Sequence, residues 1–199
     1  MTKEVFQIRI ALVGIFPPIW RRIQIPSNYS FWELHVAIQN AMGWYDSHPH
    51  AFRVPDLLGD VLVQIGIPDD EFEAGRQTLP GWDIPVADYL SEESPAIVYQ
   101  YDFGDGWVHV VQLEARLPAH RGHSYPVCLD GERKCPPEDC GGIPGYELLL
   151  AAISDRNHPQ HDSLLEWVGG SFDAEEFEVS AVRFDDPTDR WKETFGNDH

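Results

Sequence analysis

Alternation opens the chain. Between Val5 and Val13, Phe6, Ile8 and Ile10 fall on one side and Val5, Gln7 and Arg9 on the other, the two-residue period of a half-buried strand. Pro17-Pro18 interrupts the run. Ile19 to Ile25 is a second strand that ends before Pro26, so the two predict an antiparallel pair with a wide, proline-stiffened connection. The period then changes. Ser30 and Glu33 make a capping box, and Tyr29 and Leu34 make the hydrophobic staple around it. Phe31, Leu34, Ile38, Ala41 and Met42 form one helical stripe that Gly43 closes. His35 falls inside that stripe and reads as a hydrogen-bonded core residue. A loop from Trp44 to His50 leads into a short strand over 51–54, and 57–65 reads as extended. Pro68 to Pro80, with Asp69, Asp70, Glu71 and Glu73, reads as a mobile surface loop, and Pro85 starts a short helix through Leu90.

The densest signal follows Ala96. Aromatic and β-branched runs flank Asp105-Gly106, the strongest short-range sign of a hairpin. A two-residue loop places Asp102 opposite His109 and Phe103 opposite Val108. Tyr99, Tyr101, Phe103, Val108 and Val110 then share an apolar face, while Gln100, Asp102, Trp107 and His109 share the other. A three-residue loop, with Tyr101 opposite His109, mixes polar and apolar groups on both faces. A strand with one buried face selects the two-residue register.

Beyond Leu117 the texture changes. Pro118 to Pro144 holds all three cysteines among several Gly and Pro and predicts irregular structure. Helices are predicted over 145–153, with Leu148, Leu149 and Ala152 toward the core, and over 159–168, ended by Gly169-Gly170. Asp173 and Glu176 make a second capping box, with Phe172 and Phe177 as its staple, opening a third helix that Pro187 stops. Strands first and helices last predict an α+β fold: one domain over residues 1–187, an antiparallel or mixed sheet, an N-terminal helix and a C-terminal group of helices. Residues 188–199 read as a frayed tail.

Composition narrows the function. With 14 basic and 33 acidic residues the formal charge is −19, which works against nucleic-acid binding, because that affinity rests on Lys and Arg neutralising phosphates. Arg21 and Arg22 are the best basic candidates, but adjacent strand residues face opposite ways. No apolar run reaches the length of a membrane span, no signal-peptide core follows Met1, and three cysteines cannot all pair. The expected location is the cytoplasm, and the expected partner an unknown protein or small molecule.

Three groups of residues could carry chemistry. Asp102 and His109, as a cross-strand pair, would match the orienting half of a triad or a metal's outer shell, or else pin strand register. No nucleophile-elbow serine accompanies them, and Asp102-Phe103-Gly104 lacks the other parts of a kinase site. Cys128, Cys135 and Cys140, with His120 and His123 before them, offer a structural zinc set in which His123 supplies the imidazole; free buried thiols or one disulfide are the competing reading. His48 and His50, two apart, would share a strand face. With His109 and Asp102 they could hold a hydrolytic metal, and Asp105, Glu138 or Asp139 could join as catalytic groups.

Several stretches together resemble the plasmid pRiA4b ORF-3-like family. They are Pro17-Pro18-Ile19-Trp20-Arg21-Arg22, Leu34-His35 with Ile38-Gln39, Met42-Gly43-Trp44, His48-Pro49-His50-Ala51-Phe52, and Tyr101 through His109. Cys135-Pro136-Pro137-Glu138-Asp139-Cys140-Gly141-Gly142, Gly145-Tyr146, His158-Pro159 and Phe172-Asp173 complete the set. Pro49 stands where the family pattern has Leu between the histidines. The resemblance implies a single α+β domain in a family found on plasmids and near insertion elements, and no settled activity. Some members carry a transposon or resolvase label. This chain lacks both the arginine-clustered serine and the Arg/His/Arg set with a late tyrosine that recombinases need. Family membership implies that the hairpin and the Cys-Pro-Pro-Glu-Asp-Cys residues form one site. The leading expectation is a binding or interaction module, ahead of a metal-dependent, nuclease-like hydrolase and a DNA-recombination accessory.

Overall fold

A computed structural model describes residues 4–55, 60–68 and 78–196. Eight strands form one sheet: β1 (Glu4–Leu12), β2 (Trp20–Pro26), β3 (His50–Pro55), β4 (Val61–Gly66), β5 (Thr78–Pro80), β6 (Ala96–Tyr101), β7 (Trp107–Pro118) and β8 (Val127–Glu132). Their spatial order is β5-β4-β3-β6-β7-β1-β2-β8. The β4–β5 pair is parallel and every other pair antiparallel, so the sheet is mixed and the fold α+β. The helices are α1 (Phe31–Met42), α2 (Gly142–Ser154), α3 (His161–Trp167) and α4 (Pro187–Phe195).

The predicted β1–β2 pair forms, with Phe6 opposite Ile25 and Ile8 opposite Ile23. The α1 entry is as predicted: Ser30 Oγ accepts from the Glu33 N–H while Glu33 accepts from the Ser30 N–H, and Gly43 ends the helix at φ 91°. Most of the predicted mobile loop, and residues 57–59 of the predicted extended run, lie outside the described residues.

Facing residues of antiparallel strands share a side, so one face can be followed across the sheet. Ile8 faces Leu113, Ile10 faces Val111, Leu12 faces His109, Tyr99 faces both His109 and Phe52, and Tyr101 faces both Trp107 and His50. This face is buried under α1 and α2 with Phe31, Leu34, Ile38, Tyr146 and Leu149. The opposite face carries Gln7, Arg9, Arg22, Gln24 and Glu114, with Arg22 bridging Glu114 and Asp130.

That register corrects the expected hairpin. Tyr99, not Asp102, faces His109, and residues 102–106 form a five-residue loop. Trp107 and His109 are therefore core residues beside Tyr99 and Tyr101, whereas Val110 is exposed and Val108 only half-buried. The cause lies in the turn. Asp102 takes the left-handed conformation at φ 52°, its carbonyl accepts the Gly106 N–H, and its side chain accepts the N–H groups of Gly104 and Asp105. An Asp side chain that caps its own turn this way competes with the two-residue loop. In this register the hairpin buries Trp107 as well as the tyrosines.

The C-terminal third departs further. β8 lies inside the stretch expected to be irregular. Leu149 and Ala152 of α2 are buried as expected, but Leu148 points outward. Asp173 caps only a turn, accepting the Glu175 N–H, and the expected third helix is reduced to a short 3-10 turn at Val179–Ala181. Pro187 begins a helix instead of stopping one, with Asp186 as its N-cap, so residues 188–195 of the expected tail are helical. Trp191 packs edge-on against Trp32 and Trp82, and the Trp32 indole N–H donates to the Pro187 carbonyl. An aromatic cluster, invisible to a local reading of the tail, holds the helix down.

Candidate functional site

Three loops meet at one end of the sheet: residues 44–49 after α1, the turn 102–106, and the Cys-Pro-Pro-Glu-Asp-Cys segment before α2. Hydrogen bonds tie them together. The Asp102 N–H donates to the Pro49 carbonyl, the Trp44 indole to the Pro136 carbonyl, and the Gly141 N–H to the Asp105 carboxylate. Gly142 is required there, because a Cβ would stand 2.5 Å from the Asp105 carbonyl oxygen. Tyr101 links the three. Its hydroxyl accepts the Ser47 N–H and donates to Glu138, whose same oxygen accepts the Tyr45 N–H. Burial, then the hydrogen bond to Glu138, pushes the Tyr101 phenol well above its ordinary pKa.

At the rim of this junction His48 faces carboxylates. Its Nε2 lies 3.0 Å from Asp139, 3.7 Å from Asp102 and 4.0 Å from Glu138. The predicted trio of His48, His50 and His109 is not brought together. His48 sits in the loop before β3, where the strand period does not apply, and His50 and His109 lie on the core face. The structure instead joins His48 to Asp102, Glu138 and Asp139, with Asp105 clamped nearby on Gly141. Asp102 and Asp139 are both left-handed, at φ 52° and 57°. Asp tolerates that region better than most residues, through local hydrogen bonds of its side chain.

Beneath lies a second polar group that sequence reasoning found only through His35. The Asp46 N–H donates to Gln39 Oε1, Gln39 Nε2 donates to the Tyr99 hydroxyl, the hydroxyl donates to His35 Nδ1, and His35 Nε2 donates to Asp46 Oδ1. The ring closes on itself and assigns the His35 tautomer, since every member has one donor and one acceptor in place. His35 is thus the hydrogen-bonded core residue that was expected. Gln39, one turn further along the same stripe, was the legible signal for a partner; Asp46 and Tyr99 were not legible. His50 stacks on His35 with centroids 3.5 Å apart and planes 7° from parallel. Although His35, Asp46 and His50 are close enough to share an ion, the lone pairs of parallel stacked rings lie in separate planes. One ion cannot lie in both. Burial, then the neighbouring His35, holds His50 well below its ordinary pKa, and burial pushes His109 down to about 3. Both are neutral core imidazoles.

The expected thiolate site does not assemble: Cys128, Cys135, Cys140 and His123 bring no three donor atoms within 4.8 Å of one another among the described residues. The three thiols are free, and burial raises each pKa. Arg21 is no anion site either. Its buried guanidinium donates to the carbonyls of Trp20, Ala41, Glu132 and Arg133 and stacks on Phe177. Beside the three-loop junction runs a cleft of about 670 Å3 that sequence reasoning did not anticipate, lined among others by Tyr45, Pro137, Glu138, Trp167, Phe172 and Arg183.

Comparisons with known proteins agree with this architecture. A family model described as plasmid pRiA4b ORF-3-like protein matches residues 4–181. The uncharacterized protein y4hQ of Sinorhizobium fredii is 32% identical over 185 residues, which span 92% of this chain and 89% of that protein. The crystal structure of MM3350, a protein of unknown function from Methanosarcina mazei Go1, superposes with a TM-score of 0.83 at 38% identity, covering 92% of this chain and all of the other.

Proposed function

The chain belongs to the plasmid pRiA4b ORF-3-like family, and from that premise we propose that it is a binding module whose contact surface is the cleft beside the three-loop junction. One observation carries the reading: Trp167, Val168 and Phe172 line a cleft of about 670 Å3 together with Tyr45 and the Pro136-Pro137 pair. Trp167 and Tyr45 are themselves exposed, at 48% and 79%. A concave site of this size, lined by these apolar groups and by polar ones such as Lys134, Glu138 and Arg183, suits a side chain or small organic group of a partner that carries both an apolar body and a polar handle. The wall formed by the 135–138 segment is held by the Trp44 and Tyr101 hydrogen bonds, so little ordering cost falls on binding. The charge of −19 favours a partner other than a polyanion. A cytoplasmic location belongs to the same proposal, since free thiols suit a reducing compartment. No helix among the described residues is long and apolar enough to cross a membrane.

The test is a two-dimensional amide NMR titration with a library of small aromatic and aliphatic fragments. Shifts that converge on Tyr45, Val168 and Phe172, and weaken in Trp167→Ala, support the reading. Fragments that bind elsewhere, or nowhere at millimolar concentration, refute it.

A further inference from the structure

We propose that His48, Asp102 and Asp139, with Glu138 beside them, bind one divalent transition-metal ion of the manganese or zinc type. The inference concerns the junction's rim and is independent of the cleft. Its basis is a shielded imidazole nitrogen that the protein leaves without a hydrogen bond and surrounds with three carboxylates. His48 Nε2 is shielded from solvent and has no hydrogen-bond partner. Facing it at 3.7 Å is Asp102 Oδ2, on a side chain only 9% exposed, whose other oxygen already accepts two backbone N–H groups. That imidazole nitrogen lacks the partner a desolvated group requires, and the donor atoms of His48, Asp102 and Asp139 lie within 4.8 Å of one another.

The spacing is that of ligands around an ion. Donor atoms about 2.1 Å from a zinc-sized ion lie about 3.0 Å apart in octahedral and about 3.4 Å apart in tetrahedral coordination. The three separations from His48 Nε2 are 3.0, 3.7 and 4.0 Å, so an ion placed among them needs only small side-chain movements. Charge points the same way. Asp102, Glu138 and Asp139 converge on a single imidazole, and among the described residues no Lys or Arg forms an ion pair with any of them. The ligands are also oriented from behind: backbone N–H groups of Gly104 and Asp105 hold Asp102, and the Tyr101 hydroxyl and Tyr45 N–H hold Glu138, as outer groups do in metal sites. Asp139, 71% exposed, leaves an entry path. One nitrogen among several carboxylate oxygens suits manganese or zinc better than calcium, which takes oxygens, or copper(I), which takes thiolates.

The experiment uses untagged, chelator-treated protein titrated calorimetrically with MnCl2 and, separately, ZnCl2. Amide NMR with substoichiometric Mn2+ then locates the ion by paramagnetic broadening. His48→Ala and Asp139→Asn are the test variants. Both side chains are partly exposed, and Asn accepts the left-handed backbone at 139, so circular dichroism should match the parent. The expected result is one ion per chain, broadening centred on residues 47–49, 102–105 and 138–141, and affinity at least tenfold weaker in each variant. Asp162→Asn, on the exposed surface of α3, should leave binding unchanged. Absence of stoichiometric binding overturns the proposal. So does binding that both test variants leave intact, or broadening centred elsewhere, such as His120 and His123.

Discussion

His109 offers the sharpest test of the core assignment, through His109→Phe measured at two pH values. The imidazole is fully buried, stands edge-on to Trp44 with centroids 5.2 Å apart, and has an Nε2 without a hydrogen-bond partner. Its Nδ1 makes only a long contact, 3.4 Å, to the Tyr99 carbonyl. Burial lowers its pKa from 6.5 in the unfolded chain to about 3 in the fold. Because the folded value lies below the unfolded one, its stability term is whole above pH 6.5 and falls as pH drops toward 3, since only the unfolded chain takes up the proton. Between pH 7 and pH 5 the linked loss for one such group is about 2 kcal/mol. Phenylalanine keeps the aromatic contact and removes the proton site. Urea unfolding followed by tryptophan fluorescence should therefore show the parent losing about 2 kcal/mol more than His109→Phe between pH 7 and pH 5. His50 and the carboxylates contribute to both proteins and cancel in the difference. Equal losses at unchanged m-values would refute the buried, neutral imidazole and with it the hairpin register.

The other predictions probe separate parts of the fold. Trp107→Ala should cost about 3–5 kcal/mol as a core truncation, while Val110→Lys, on the open sheet face, should stay within about 0.5 kcal/mol; a reversal in denaturant midpoints would favour the two-residue hairpin loop. Gly142→Ala combines φ 66° with a Cβ 2.5 Å from the Asp105 carbonyl oxygen and should cost more than about 1 kcal/mol, and an unchanged melting temperature would contradict that contact. Trp191→Ala should strip hydrogen-exchange protection from residues 187–195 and spare the sheet; loss throughout β6 and β7 would mean that α4 is not a separately docked element. Thiol labelling at pH 8 should be slow in the folded protein and complete after denaturation, since burial raises all three thiols, Cys140 to about 12. Rapid stoichiometric labelling would refute it.

Much of the architecture was legible because its causes are local. The β1 and β2 alternation, the Ser30–Glu33 box, the Gly43 stop and the apolar stripe of α1 are each decided within a few residues of chain. The α4 start was written locally too, since Asp186-Pro187 is a capped first turn with Pro at its first helical position. The long interval from the Asp173 signal to Pro187 drew that reading into a helix that the chain does not form. The candidate site was half legible. Asp102, Glu138, Asp139 and His48 stood out as residue types, but His50 and His109 were grouped with them on the wrong geometry.

What this sequence determines alone is the β1 and β2 strands with their apolar face, the first helix with its cap and stripe, and a formal charge of −19. Tertiary structure decided the pairing. A hairpin's local pattern is compatible with several registers, and the choice fell to long-range partners: Leu12 on His109, Phe52 on Tyr99, and the Pro49 carbonyl on Asp102. Once those contacts set the register, Trp107 and His109 turned into the core, and Asp102 was left at a turn beside His48, Glu138 and Asp139. Polar groups from distant segments converge only when the chain closes loops between them, and the free energy that closes those loops comes from the sheet's buried face.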